Sequence, residues 1–384
     1  MRNKMFKLRN QALLAFMLST PLLSQAATSL QQEVDTLKNQ NKMMMERLDA
    51  TIETLDMMGS KNSGHGSKGK TTLGGYGELH YNNLTGDKKE IDFHRFVLFV
   101  GHEFSKDIRF FSELELEHSI AGEGKAGEIE LEQGFIEFDL NKTTRAKAGL
   151  FLIPVGVVNE THEPNNFYGT ERNPVEKNIV PATWWEAGAA LNGEISEGLS
   201  YDLAFTSGLD LSTKNKVRDG RKKVAKARAN SPMITGRIKY TAIPGLELAT
   251  TLLNINDYTQ GQGTINAATM IEAHAVYKSG AFGLTALYAN WDVKGKPTGY
   301  DKQTGWYVEP SYKFSPKIGI FARYNKYDNQ AGTAGPGNTS KQQTDIGVNF
   351  WPHEDVVIKV DFQTQDNADS KNQNGFNMAI GYQF

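Results

Sequence analysis

The chain ends "GFNMAIGYQF" (375–384). In an extended strand Phe376, Met378, Ile380, Tyr382 and Phe384 lie on one face, and Asn377, Ala379, Gly381 and Gln383 on the other. A terminal strand that packs against nothing frays, so the bulky face needs an apolar surrounding. The same period of two recurs upstream. Trp306, Val308, Pro310, Tyr312 and Phe314 oppose Tyr307, Glu309, Ser311 and Lys313. Val356, Ile358, Val360 and Phe362 oppose Val357, Lys359, Asp361 and Gln363, and Ile318, Ile320, Ala322 and Tyr324 oppose Lys317, Gly319, Phe321 and Arg323. Segments of about ten residues with one apolar face and one charged or small face are the pattern of transmembrane β-strands.

Such segments fall near 72–82, 90–103, 107–118, 127–140, 143–153, 184–195, 198–208 and 232–242. They continue near 245–255, 267–278, 281–291, 304–314, 316–327, 342–351, 354–365 and 374–384. The connections alternate. "FSKD", "NK", "SEG", "IPG", "SG", "SP" and "PHED" are tight turns. Between them lie the longer connections 83–89, 119–126, 154–183, 209–231, 256–266, 292–303, 328–341 and 366–373. Short periplasmic turns alternating with long external loops belong to outer-membrane barrels, and a soluble sandwich has no reason to keep every second turn short. The expectation is an all-β transmembrane barrel of about 16 antiparallel strands over 72–384, its last strand closing on the first near "TTLGGYGELHY" (71–81). Lipid would then cover the face of Phe376–Phe384. The modest 39% apolar composition fits, because half of each strand would line water.

The other end of the chain indicates the compartment. Residues 1–26 carry Arg2, Lys4, Lys7 and Arg9, an apolar run around Ala12–Leu23 and a small-residue cleavage site at Ser24–Ala26, the layout of a secretory signal peptide. Its removal leaves 38 of the 42 basic residues against 44 acids, a net charge of −6 that argues against nucleic acid. No later run is long and apolar enough for a transmembrane helix. Over 27–58, Leu30, Val34, Leu37, Asn41, Met44, Leu48, Thr51, Leu55 and Met58 follow an a/d seam. That reads as an N-terminal α-helical coiled coil in the periplasm, the alternative being a helix docked on its own domain. "GSKNSGHGSKGK" opens a flexible linker over 59–71.

"LGGYGELHYNN" (73–83), "IDFHRFVLFVGHEF" (91–104), "FFSELELEHS" (110–119), "KAGLFLIPVGVVNETHEP" (147–164) and the terminal "GYQF" resemble the porin O and P (phosphate-selective porin-like) family of Gram-negative outer-membrane porins. The resemblance is most specific in the first five strands. It implies a sixteen-stranded homotrimeric channel whose terminal Phe384 is read by the barrel-assembly machinery. Members described as phosphate-selective carry arginine-rich ladders, and no comparable arginine run stands here. The added coiled coil is similar in layout to DcaP-like dicarboxylate channels, which implies a preference for small anions.

The third connection, 154–183, is the longest, and in sixteen-stranded porins it folds inward. Glu160, Glu163, Glu171, Arg172, Glu176 and Lys177 are therefore constriction candidates, unless the segment is an external lid. Alternation places Arg95, Glu113, Glu115, Glu130, Arg237, Lys239, Lys313, Arg323 and Lys359 on the lumen side. Acids cluster on the third and fourth strands and bases on the later ones, so a transverse field is expected. The fourth connection, "KNKVRDGRKKVAKARAN" (214–230), reads as a basic mouth loop, with Lys222, Lys223, Lys226 and Arg228 raising the local anion concentration or contacting lipopolysaccharide. A solvated loop is the bland alternative.

Without cysteine, thiol catalysis and zinc–thiolate sites are excluded. The eight histidines show no metal-ligand spacing along the chain, and no phosphate-binding glycine loop or Ser/His hydrolase motif stands out. No cofactor or enzymatic activity is expected. The expectation is an outer-membrane porin for passive diffusion of small hydrophilic solutes, with a preference for anions such as phosphate or dicarboxylates. A non-conducting structural or adhesive barrel, anchored through its coiled coil, is the alternative.

Overall fold

A computed structural model of the chain describes residues 70–86, 88–119, 127–211, 216–263, 266–295, 299–332 and 337–384. The expected signal peptide (1–26), coiled coil (27–58) and all but the end of the linker (59–71) lie outside the described residues.

Sixteen strands form. The first eight are β1 (Lys70–Leu84), β2 (Lys88–Ser105), β3 (Ile108–Glu117), β4 (Ile129–Asp139), β5 (Thr144–Leu152), β6 (Trp185–Ser196), β7 (Leu199–Thr206) and β8 (Met233–Tyr240). The rest are β9 (Leu246–Ile255), β10 (Ala268–Ser279), β11 (Phe282–Val293), β12 (Lys302–Ser315), β13 (Ile318–Asp328), β14 (Lys341–His353), β15 (Val356–Gln365) and β16 (Gly375–Gln383). Each pairs with its neighbours in sequence, and β16 returns to β1 in antiparallel register, Gly77 opposite Tyr382 and His80 opposite Ala379. The sheet is closed and has no free edge, as hydrocarbon surroundings demand.

The alternation sorts side chains as expected. Phe362 (64% exposed), Ile346 (60%), Leu252 (56%) and Ile380 (40%) point outward, while Asp361, Asn349, Thr251 and Asn377 on the same strands are buried toward the interior. No helix among the described residues is long and apolar enough to cross a membrane.

The interior departs from a simple polar wall. Ile153, Val155, Val175, Ile179, Val180 and Trp184 of the third connection pack with Leu209, Leu211 and Val217 of the fourth. Both meet Met233, Leu253, Ile255, Met270, Leu287 and Trp291 on the inner face of β8–β11. This apolar core lies inside the barrel. On β8–β11 the covered wall is apolar, and where the third connection covers polar wall groups elsewhere it supplies them with hydrogen-bond partners, as Gly169 and Thr170 do for Lys359 and Asp361.

Candidate pore constriction

The third connection crosses the lumen and is tied to both sides. A short helix, α1 (Pro174–Asn178), starts with Asn173 as N-cap, its Oδ1 accepting the Glu176 N–H at 2.8 Å, and proline in the first turn. Glu176 itself is fully buried. Its carboxylate accepts the N–H groups of Val157 (2.9 Å) and Val158 (2.7 Å), the Tyr307 hydroxyl (2.8 Å) and the Asn173 amide (3.2 Å). Gly156 turns the chain there at φ +71°, and a Cβ would meet the Glu176 carboxylate at 2.6 Å. Burial pushes the Glu176 carboxyl upward, against these donors. Glu176 therefore holds the loop together and is not among the residues lining the cavity, which corrects its reading as a constriction residue: its donors, two loop N–H groups, the Asn173 amide and the Tyr307 hydroxyl of β12, are brought together only by the fold.

Further along, Trp291 Nε1 donates to the Ile179 carbonyl (2.8 Å), Lys359 Nζ donates to the Gly169 carbonyl (2.9 Å), and the Thr170 N–H donates to Asp361 (2.6 Å). On the opposite wall His162 Nε2 is fully enclosed, 3.4 Å from Glu113 and 3.2 Å from Glu132. Burial alone would lower the His162 pKa, but the two carboxylates outweigh it and push it up to about 10. Glu171 meets His80 Nδ1 at 3.1 Å and the Asn82 amide at 3.3 Å. Glu160 pairs with Arg237 at 2.5 Å, and Glu163 accepts the Asn166 amide at 2.7 Å. The loop is an inward-folded strap, not an external lid.

Between this strap, the fourth connection and the β1–β4 wall lies a cavity of about 310 Å³, lined by Arg95, Arg172, Lys177, Arg218, Arg221 and Lys223 among others. Among the described residues, three of these guanidiniums have no carboxylate within ion-pair distance. Arg218 donates to the Lys177 and Ala182 carbonyls, both at 2.7 Å. Arg221 donates to the Thr183 carbonyl and Arg172 to the Thr183 hydroxyl. Among the described residues none of the three forms an ion pair with an acid, and Arg221 Nε is buried without a hydrogen-bond partner. Burial, then the neighbouring guanidiniums, depress Arg218 to about 9 and Arg221 to about 10. Arg172 is depressed first by burial and then by Arg95. All three stay protonated near neutrality, and an anion placed among them would relieve that repulsion.

The other lumen charges are answered locally. Arg95 meets Glu78 (2.8 Å) and Glu115 (3.3 Å); Arg323 meets Glu309 and Asp345, both at 3.1 Å. Arg237 pairs with Asp202 (2.8 Å) as well as Glu160, and Lys239 lies 3.8 Å from Glu247. Lys313 sits over the Trp351 ring and Lys359 over the Phe167 ring, at 4.3 and 3.7 Å from the centroids. The expected transverse field is thus largely replaced by local pairs.

The fourth connection also differs from a mouth loop. Lys223 pairs with Glu128 (2.8 Å) and Glu130 of the β3–β4 wall, and Arg228 with Asp210 (2.6 Å). Lys226 is exposed and Lys222 half-buried. Leu209 and Leu211, just before the bases, and Val217 among them fold the loop inward. Sequence reasoning counted Arg218 and Arg221 within the basic run but not as lumen groups, and passed over His162. The signal was present: at "TTLLNI" (250–255) and "LYANWDV" (287–293) the inward positions turn apolar, which calls for a covering segment.

A closed, even-stranded antiparallel barrel with a lipid-type outer face and a long connection strapped through its lumen is a porin-type outer-membrane barrel. The family described as phosphate-selective porin O and P matches residues 221–384, from Arg221 through β16, so the expected kinship is shown for that part of the chain. The first five strands, where the resemblance looked most specific, lie outside the match. A protein of Aquifex aeolicus (strain VF5) described as uncharacterized is 26% identical over 357 residues, 82% of this chain and 80% of the relative. The outer membrane channel DcaP of Acinetobacter baumannii is similar with TM-score 0.58 and 14% identity, over 84% of this chain and 100% of that one. The anion-selective porin from Comamonas acidovorans gives TM-score 0.60 and 13% identity, over 83% of this chain and 100% of that one. At such identities the likeness to these two structures is one of fold.

Proposed function

We propose that this barrel is a passive diffusion channel with a preference for small anions such as phosphate or dicarboxylates, working as a homotrimer with its coiled coil in the periplasm. One observation carries the anion reading: Arg172, Arg218 and Arg221 crowd one cavity and are answered by backbone carbonyls and a hydroxyl instead of carboxylates. A pore selects by the charges at its narrow part, not by net charge. The family match supports channel function, and the fold likeness to the trimer form of OmpT of Vibrio cholerae supports the oligomer. The apolar core inside the β8–β11 wall favours a second reading, a barrel too filled to conduct.

Planar-bilayer recordings under a salt gradient separate the two. Wild-type protein is expected to conduct and to show an anion-directed reversal potential. The variant Arg172→Gln/Arg218→Gln/Arg221→Gln should lose most of that shift at both low and high salt, because enclosed charges are weakly screened. Neutralising Lys226, which is exposed, should act at low salt only, since screening falls off over about 8 Å at physiological salt. A wild-type channel that prefers cations would sink the anion reading, and a silent bilayer would favour the filled barrel.

A further inference from the structure

At the external ends of β2 and β3, three ligand-type side chains converge that conduction does not require. Asp92 Oδ1 and Oδ2 lie 3.0 and 2.8 Å from His118 Nδ1, and Oδ2 lies 3.2 Å from His94 Nδ1. One donor atom from each can be chosen so that all lie within 4.8 Å of one another. The three side chains are 24–35% exposed, and both histidines line the 310 Å³ cavity. The cluster is thus reachable from the lumen, whereas Glu113, Glu132 and His162 are each no more than 2% exposed.

The geometry suits an ion. With bonds of about 2.0–2.1 Å, tetrahedral ligand atoms stand roughly 3.3 Å apart. The two Asp92–histidine separations, 2.8 and 3.2 Å, need open by only a few tenths of an ångström, and one nitrogen of each histidine lies within 4.8 Å of the other. The orientation is already set: the His80 ring stacks on His94 at 4.6 Å, and Glu78 and Glu171 hold His80 from both nitrogens. Two imidazoles and a carboxylate are the donor set of zinc and its neighbours, whereas magnesium and calcium demand oxygen. Three protein ligands also leave a coordination position open to the cavity. The nearby guanidiniums oppose a dication, and Glu117, Glu130 and Glu171 in the same cavity offset them.

We propose that Asp92, His94 and His118 form a binding site for a divalent transition-metal ion, zinc foremost, on the rim of the constriction. The site stands whether or not the barrel prefers anions. The spacing along the chain concealed it, because His118 stands just past the end of β3, the strand paired with β2.

Calorimetric titration of ZnCl₂ into the purified full-length protein in detergent tests the site. One Zn²⁺ per chain should bind in wild type, and MgCl₂ should give no comparable heat. His94→Ala and His118→Ala should each weaken zinc by about 100-fold or more, since even an indirect ligand contact is worth 10–100-fold. His353→Ala, at an exposed cluster on the opposite rim, should bind as wild type does. Barrel integrity is read from heat-modifiable electrophoretic mobility; should an alanine variant fail to fold, His118→Gln and Asp92→Asn replace it with less change in volume. X-ray absorption at the zinc edge should report mixed nitrogen and oxygen donors. Unchanged binding in the folded variants, or equal binding of magnesium, would overturn the site.

Discussion

Glu176 collects two backbone N–H groups, a phenol and an amide on one buried carboxylate, and so shapes the strap from within. Glu176→Ala would leave those donors buried and unmatched, at about 1–3 kcal/mol each. The expected outcome is a strap that proteases cut between residues 153 and 184 while the barrel keeps its heat-modifiable mobility; resistance equal to wild type would refute the role. His162 gives a pH dependence with a definite sign. Its folded pKa is raised from 6.5 to about 10, so the protonated form is the one that holds the strap. Its contribution is complete below about pH 6.5 and is lost as pH rises through about 10. Current noise and strap proteolysis should therefore increase between about pH 8 and pH 11 in wild type. His162→Leu, which never carries the charge, should show little further change over that range.

At the scale of elements, the strap docks through aromatic packing. Trp184 lies 6.3 Å, centroid to centroid, from Trp291 on β11, and both are fully buried. Trp291→Ala also removes the hydrogen bond to Ile179 and should cost roughly 3–5 kcal/mol of docking free energy. Larger and noisier single-channel conductance is expected from an otherwise intact barrel, and an unchanged conductance would show that the strap does not gate the lumen. The strands themselves were readable in advance: sixteen expected segments match sixteen observed strands, with ends displaced by a few residues. Their alternation is a local property, set by lipid on one side. What the connections do was not readable in this way, because a loop residue's neighbours are chosen by the wall it reaches.

For the whole molecule, closure is the step on which everything depends. Gly75 and Phe384 exchange two backbone hydrogen bonds of 2.9 Å, and the Phe384 ring lies 6.2 Å from that of Phe96 across β1. Phe384→Ala should lower the amount of assembled barrel in the membrane far more than it lowers conductance per assembled channel. Equal heat-modifiable yield from both versions would count against a terminal assembly signal. Deleting 30–58 should leave conducting trimers, because the linker uncouples the proposed coiled coil from the barrel; stable monomers in cross-linked full-length protein would refute the trimer.

The amino-acid order alone determined the sixteen strands, the outward face of each, the alternation of turns and loops, and the return of "GYQF" to "GGYGEL". These follow from a period of two and from turn chemistry, which act over neighbouring residues. The tertiary structure decided which inward residues meet water and which meet a loop. Thr170 finds Asp361 across 191 residues, His80 finds Glu171 across 91, and Lys223 finds Glu130 across 93. Arg172 of one connection is brought beside Arg218 and Arg221 of another, and Asp92 and His94 of β2 beside His118 just past the end of β3. No spacing along the chain encodes such groupings, since a barrel wall places distant residues side by side only once it has closed.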